Sequence, residues 1–253
     1  DSDNFDVYYL NFNKGRSKKL AYAPSFGTSS FNEDIKRKIL PLLKDFDALS
    51  CREKDGAAFI SSIIGISIPT VVDPTLLLKR DEWLKVAVFP KFRRKYILIY
   101  DLNGGERLVK IAKVIQKTTD LPIVCITDKI EKFYSVDKQI YSAGPGEFLG
   151  WFAKADYIVT DSFHGTVFSI QFNKPFNTYI AVKQSASRIT SLLESLKLSD
   201  RIVYDDTIGN FKFPDSNYIV NESLLKTFRD SSETFLKRNC KITVSYTHLR
   251  AHE

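Results

Sequence analysis

The sequence contains no methionine, only three histidines and three cysteines, and no long apolar run. Cys51, Cys125 and Cys240 are odd in number and widely separated, without partners at the spacing of a metal or redox site. This pattern favours a reducing compartment and predicts no metal. No apolar stretch approaches the roughly 20 residues that cross a bilayer, and no signal-peptide pattern opens the chain. We therefore expect a cytoplasmic protein.

Both ends of the chain have unusual features. It opens at Asp1 and runs directly into a strand-like stretch at 7–10, so we expect that a natural N-terminus is missing. The last ten residues read VSYTHLRAHE and resemble translated adapter sequence. We expect 242–253 to be a non-native tail and exclude its His248 and His252 from site reasoning.

The chain is basic, with a formal charge of +7 and a pI near 9.1, which favours anionic partners. Basic residues gather at 14–19 and again at 91–95. Neither run has the interleaved aromatics of a base-stacking platform, so we expect no nucleic-acid partner. Solvated loops remain the simplest interpretation of both runs.

Strand and helix patterns alternate along most of the chain, which is typical of parallel sheets flanked by helices. The apolar run 96–100 predicts a strand that is buried on both faces. The other predicted strands are 7–10, 20–23, 48–50, 70–72, 123–126, 157–160 and 176–180. The predicted helices are 31–46, 52–65, a short one from Pro74, 106–118, 147–154, 165–172, 187–197 and 222–238.

A polar, basic connection at 79–95 predicts a boundary between two domains. We expect 1–90 to form the end of one α/β domain and 91–241 to form a second with a C-terminal helix.

The most informative segment is 155–166, where an apolar strand ends in the sequence Thr-Asp-Ser-Phe-His-Gly-Thr. Ligands of parallel α/β sheets bind beyond the carboxyl ends of strands, where helix N-termini present free N–H groups to anions. His164, the only histidine outside the tail, lies at such a point. The alternative is that Asp161 or Ser162 caps the next helix and that His164 is a structural hydrogen-bonding residue.

The stretch ADYIVTDSFHGTVFSIQFNKPF closely resembles the signature of the polysaccharide pyruvyl transferase family. The resemblance extends through AYAPSFG at 21–27, SCREKDG at 50–56, VDPTLLL at 72–78 and SRITSLLESLKLSDRIV at 187–203. It therefore covers about 7–203 in order. The family's N-terminal region, with a glycine-rich Gly-Asn loop, has no counterpart here, consistent with a missing start.

The resemblance implies a fold class and an activity. The fold would be α/β, with two Rossmann-like domains facing a cleft in a glycosyltransferase-B-like arrangement, and with the N-terminal part of the first domain missing. The activity would be transfer of an enolpyruvyl unit from phosphoenolpyruvate to two hydroxyls of a sugar, which gives a pyruvate ketal and phosphate. Phosphoenolpyruvate would be a donor substrate, and no cofactor is implied.

The resemblance also implies site residues. Arg52 occupies the arginine of the family's Ser-x-Arg-Glu/Asp motif and is expected to bind phosphoenolpyruvate through its planar set of donors. The alternative is a surface arginine paired with Glu53 or Asp55. We expect His164 to transfer a proton and Asp161 to orient the turn or the histidine.

The sequence departs from the family's Asp-Arg-Leu-His-Gly branch, because Ser162 stands where that branch has an arginine. Arg188 or Lys183 is the expected replacement for that charge. Further binding residues are expected beside the strand ends, with Gly165 allowing close approach to a ligand. They are Ser162, Phe163, Gly165, Thr166, Ser25 and Gly27. Asp73 is interpreted as a helix start rather than a catalytic acid.

Two competing functions remain from the sequence. A glycosyltransferase that uses a nucleotide sugar would have a similar fold and charge, although no clear acidic pair is present to hold a ribose. A non-catalytic glycan-binding or lipid-precursor-binding module would need no histidine at the strand end. In that module the basic surface would recruit the protein to an anionic membrane. For the pyruvyl transferase, the acceptor is expected to be a sugar or a lipid-linked glycan, and peripheral membrane association stays open.

Overall fold

The computed structural model describes residues 5–12, 17–129, 135–183, 186–213 and 220–240. The predicted non-native tail, with His248 and His252, lies outside these residues. Within them, no helix is both long and apolar enough to cross a membrane.

In the part of the chain that the structure describes, eight strands form two parallel sheets. The strands are β1 (Leu20–Ala21), β2 (Ala48–Leu49), β3 (Ile97–Asp101), β4 (Ile123–Thr127), β5 (Lys138–Tyr141), β6 (Tyr157–Thr160), β7 (Phe176–Ile180) and β8 (Ile202–Tyr204). β1 and β2 pair with each other, and the other six form one sheet in the order β5-β4-β3-β6-β7-β8. The chain moves outward from β3 to β5 and then from β6 to β8, so its direction reverses between β3 and β6.

The helices connect and cover these strands. They are α1 (Phe5–Tyr8), α2 (Glu33–Leu43), α3 (Lys54–Ile64), α4 (Pro74–Leu77), α5 (Arg80–Lys85), α6 (Glu106–Thr119), α7 (Pro145–Lys154), α8 (Phe163–Gln171), α9 (Ser187–Ser195) and α10 (Glu222–Asn239). Pro41 lies inside α2, and Pro74 occupies the first turn of α4, where its missing N–H costs nothing.

The inner strands of the six-stranded sheet are buried on both faces, which explains their continuous apolar runs. Every residue of β4, β6 and β7 is buried. Leu98 and Ile158 face a cluster built with α7, α8 and α9, whereas Ile97 and Ile99 face a cluster built with α6. Neighbouring side chains thus alternate between two helical layers. Because all pairs of strands in this sheet are parallel, the carboxyl ends of the strands lie at one edge.

The N-terminal part has its own small core, built mainly from α2, α3 and the short strands. Several contacts join this part to the rest of the chain, and two of them are backbone-to-serine hydrogen bonds. Lys54 N–H donates to Ser191 Oγ of α9 at 3.0 Å, and Val72 N–H donates to Ser232 Oγ of α10 at 3.0 Å. The first contact holds the start of α3 against α9, which brings residues from both parts together at the site described below.

Two predicted strands are wrong. Residues 7–10 are not a strand, because α1 occupies Phe5–Tyr8; Val7 and Tyr8 stay exposed, and no neighbouring strand satisfies their backbone groups in the described residues. Of 70–72, only Thr70 pairs in strand fashion, with Cys51. Val72 N–H is used by Ser232 instead.

Two strands were not predicted, β5 and β8. Both are edge strands of the large sheet. The residues of β5 are exposed or only partly buried, and β8 has three residues, so neither carries the apolar run of an inner strand.

Candidate active site

The predicted turn after β6 is present and ends in α8. Ser162 is the N-cap of this helix, and its hydroxyl accepts a hydrogen bond from Gly165 N–H at 3.2 Å. The predicted capping alternative is therefore correct for Ser162, while His164 lies in the first helical turn with its side chain 52% exposed. The histidine is thus accessible at the positive end of a helix dipole.

Gly165 and Thr166 are buried and hold α8 against the sheet. A Cβ on Gly165 would lie 2.3 Å from Thr160 Oγ1, so the close approach that requires glycine is to β6. Thr166 Oγ1 donates to the carbonyl of Ser162 at 3.0 Å and lies 2.7 Å from Thr178 Oγ1. Both residues support the position of His164 from beneath the turn.

Arg52 is fixed in place by two groups. Its Nη1 lies 3.0 Å from Asp73 Oδ2, and its Nε and Nη2 both donate to the carbonyl of Ala23 at 3.2 Å. The expected alternative, an ion pair with Glu53 or Asp55, is not what the structure shows. The guanidinium is oriented by buried partners and does not swing freely in solvent.

Asp73 is the residue that the sequence interpretation passed over. It is the N-cap of α4, since its Oδ1 accepts from Thr75 N–H at 2.9 Å and from Thr75 Oγ1 at 2.6 Å. Its Oδ2 also faces Arg52 and lies 3.8 Å from His164 Nε2. One buried carboxylate therefore caps a helix and lies beside Arg52 and His164, two of the three predicted catalytic residues. The sequence signal that could have identified Asp73 is its position directly after the apolar residues Val71 and Val72.

Burial and the nearby charges favour the neutral form of the His164 imidazole, because together they lower its pKa. Partial burial lowers the pKa of His164 below its ordinary value of 6.5, and Arg52 and Arg188 lower it further, while Asp73 raises it. A neutral imidazole can accept a proton. An anion bound between the two guanidinium groups would offset their repulsion and raise the pKa again.

The Phe163 ring lies close to the guanidinium groups of both arginines. The Arg52 guanidinium lies 5.3 Å from the centre of the ring, and the Arg188 guanidinium lies 5.6 Å from it. A Cβ built on Gly27 would lie 3.9 Å from the Arg188 guanidinium. The predicted residues Gly27, Arg52, Phe163, His164 and Arg188 are therefore brought to one place.

The loop that carries Gly27 is held by Glu53. Ser25 Oγ and Phe26 N–H donate to Glu53 Oε1 at 3.1 and 2.8 Å, and Gly27 takes a positive φ of 68°. Ser25 thus shapes the loop, and Gly27 supplies the backbone conformation that turns it towards Arg188.

Asp161 does not contact His164 in the structure. Its carboxylate accepts backbone N–H groups of the loop after β3, from Leu102 at 2.9 Å, Asn103 at 2.6 Å and Gly104 at 2.7 Å. This arrangement ties the end of β6 to the end of β3, at the point where strand order reverses. Asp161 positions the turn that carries His164.

Lys183 lies in different surroundings. Its ammonium group is 4.5 Å from the centre of the Tyr204 ring and 3.9 Å from Asp206 Oδ2. Of the two cations expected to replace the missing arginine at Ser162, Arg188 contacts Phe163 beside the histidine, whereas Lys183 faces β8 and the loop after it.

The assembled site contains two guanidinium groups, a helix N-terminus, a neutral accessible imidazole and one buried carboxylate. The cations and the helix end favour a ligand with more than one negative charge. The imidazole lies where a proton could be exchanged with such a ligand. The chemistry that fits is therefore group transfer on an anionic substrate with general acid–base assistance.

Comparison with solved structures supports the fold. The chain is similar to UDP-GlcNAc 2-epimerase of Methanocaldococcus jannaschii, solved with UDP-GlcNAc and UDP, with a TM-score of 0.50 and 16% identity over 85% of this chain and 69% of that one. MnaA of S. aureus, solved with UDP, gives a TM-score of 0.47 and 17% identity over 76% of this chain and 57% of that one. The wall teichoic acid polymerase TagF gives 0.41 and 12%, over 83% and 58%.

The chain spans 57–69% of the lengths of these three structures. At 16% identity the likeness to the Methanocaldococcus jannaschii epimerase concerns the fold alone, and it confirms the expected α/β, glycosyltransferase-B-like class. No curated protein matches the chain. The sequence profile of the polysaccharide pyruvyl transferases matches residues 1–182, which include Arg52, Asp73 and His164. The chain therefore belongs to the polysaccharide pyruvyl transferase family, a family of enzymes.

Proposed function

We propose that the protein transfers a pyruvyl group from phosphoenolpyruvate to a sugar of a surface polysaccharide or of its lipid-linked precursor, forming a pyruvate ketal. The observation that supports this most directly is the grouping of Arg52, Arg188 and His164 around Phe163. We further infer that the reaction takes place in the cytoplasm, in a cleft between a domain at 1–90 and a domain at 91–241.

The donor carries a phosphate and a carboxylate on one small carbon frame, so it needs at least two separated cationic contacts. Arg52 is oriented by Asp73 and Ala23. Arg188 supplies a second guanidinium, 5.6 Å from the centre of the Phe163 ring. In this proposal the two guanidinium groups hold the two anionic groups of the donor, with the N-terminus of α8 adding positive potential.

The proton balance of the reaction suits a residue such as His164. One sugar hydroxyl gives its proton, by way of the imidazole, to the methylene carbon of the donor as its oxygen bonds to the central carbon. The second hydroxyl then bonds to the same carbon as the C–O bond to phosphate breaks, and its proton leaves with the phosphate. The products are a pyruvate ketal, in which the former methylene carbon is a methyl group, and inorganic phosphate. The imidazole returns to its neutral form.

The test measures phosphoenolpyruvate binding by calorimetry and phosphate release with a panel of free and lipid-linked sugars. We expect acceptor-dependent release. Arg52→Ala should weaken donor binding by about tenfold or more, since it removes a charge-assisted contact. His164→Ala should retain binding and lose most turnover. Arg80→Ala, which changes an exposed arginine on α5, is the matched control.

Two results would contradict the proposal. Phosphoenolpyruvate binding that is equal in wild type and Arg52→Ala would remove the donor site. Consumption of a nucleotide sugar without any response to phosphoenolpyruvate would favour the glycosyltransferase alternative.

A further inference from the structure

The segment that follows α5, residues 86–95, exposes large apolar side chains. Val86 is 60% exposed, Val88 57% and Phe89 47%. Three such residues within four positions form a contiguous patch rather than scattered surface residues. In the described part of the chain, all three side chains are far more exposed than those of the core residues.

Cations directly follow this apolar patch. Lys91, Arg93, Arg94 and Lys95 are all exposed. Together with Lys154 they line a surface recess of about 670 Å³ in which Asp156 is the single lining acid. The 86–95 segment thus presents apolar side chains at its start and an excess of positive charge at its end.

The backbone of the 86–95 segment is held firmly on α7. Val88 N–H donates to the carbonyl of Gly146 at 2.8 Å, and a Cβ on Gly150 would lie 2.0 Å from the carbonyl oxygen of Val88. Phe92 packs on Trp151, with ring centres 6.0 Å apart. Val88 Cγ2 also lies close to this helix, 3.0 Å from where a Cβ on Gly146 would be. The side chains of Val86, Val88 and Phe89 nevertheless remain exposed.

We propose that the 86–95 segment docks on an anionic lipid bilayer. Apolar side chains beside clustered Lys and Arg match the two layers of such a surface, since the former enter the acyl boundary and the latter contact the phosphates. A nucleic acid fits less well, because Phe89 is the only exposed aromatic ring of the segment and Phe92 is partly buried against Trp151.

The fold relates this surface to the candidate active site. α7 follows β5 and returns antiparallel to the strands, so its first residues lie at the carboxyl edge of the sheet. Val86 and Val88 lie against Gly146 in that first turn. The apolar end of the segment therefore lies towards the edge that carries His164, and the basic end lies towards the opposite edge. Docking would hold the site's edge of the sheet near the lipid surface.

The test is co-sedimentation with sonicated vesicles of phosphatidylcholine alone or with 40% phosphatidylglycerol. It needs no turnover, so its outcome is independent of the proposed reaction. We expect binding to the anionic vesicles that weakens with salt. Arg93→Glu/Arg94→Glu should lower the partition coefficient by about 25-fold or more, since each cation near the surface contributes about fivefold. Val86→Ser/Val88→Ser/Phe89→Ser should lower it by about tenfold.

The matched control is Lys110→Glu/Lys117→Glu, which makes the same change of net charge on the exposed face of α6. It should retain most binding. The proposal is overturned if this control loses as much binding as Arg93→Glu/Arg94→Glu, if neutral and anionic vesicles bind equally, or if neither binds. Tighter binding of a short DNA duplex than of anionic vesicles at the same salt would also overturn it.

Discussion

The ion pair between Arg52 and Asp73 can be tested by the substitution Asp73→Asn. The Asp73 side chain is 2% exposed and that of Arg52 is 18% exposed, so removing the negative charge leaves a largely buried guanidinium without its partner. Asparagine preserves the shape and the acceptor for Thr75, which limits the change mainly to the charge. Breaking a buried pair in this way costs about 3–5 kcal/mol, and we expect the lower end because Ala23 still accepts from Arg52.

The assay is urea denaturation at pH 8, compared with Asp206→Asn as a control. Asp206 is 69% exposed and pairs with the exposed Lys183 at 3.9 Å, so its loss should cost less than about 1 kcal/mol. Equal losses of unfolding free energy in Asp73→Asn and Asp206→Asn would refute the reasoning.

A second readout follows from the same carboxylate. Because Asp73 raises the pKa of His164, its neutralisation should lower that pKa further. The measurement is an NMR titration of the imidazole, assigned with His164→Ala. A pKa that rises in Asp73→Asn would contradict the charge arrangement described for the site.

Three further outcomes are expected. Arg188→Ala should weaken phosphoenolpyruvate binding by about tenfold or more in calorimetry, while binding by Lys183→Ala stays within about twofold of wild type. A larger loss in Lys183→Ala than in Arg188→Ala would place the anion site at Lys183 instead. Because the pKa of His164 is lowered on folding, the unfolded chain takes up that proton first, so wild type should lose stability relative to His164→Ala as pH falls through about 6.5; urea midpoints at pH 8 and 5.5 check the sign. Gly165→Ala should cost about 1–3 kcal/mol or more through overpacking, whereas Gly209→Ala, where a Cβ meets nothing within 4 Å, should be nearly neutral in the same denaturation assay.

The inner strands were predictable because their sequences carry the burial signal directly. β6 and β7 have the predicted bounds, since every residue in them is buried and apolar or small polar. The 70–72 stretch has a similar composition and still fails as a strand. Its Val72 N–H is taken by Ser232, about 160 positions later, and such a long-range partner leaves no trace in local pattern.

The site shows the same division. His164 could be located because strand, turn and helix are contiguous in the chain. Asp73 could not be assigned, because its contacts with Arg52 and His164 depend on how α4, the β2–α3 turn and α8 pack together. The local motif Asp-Pro-Thr predicts a helix cap, and Asp73 Oδ1 does cap α4. The motif does not reveal that the second carboxylate oxygen, Oδ2, faces the site.

The carboxylate of Asp161 also has a consequence for ligand choice. The glycine-containing turn after β3, at the point where strand order reverses, is where many parallel α/β proteins bind the phosphates of a nucleotide. Here three amides of that turn already donate to a covalently attached anion. An incoming diphosphate would have to displace a side chain of its own sign. The protein thus carries its own carboxylate at this position, and that carboxylate would compete with an incoming anion for the three amides.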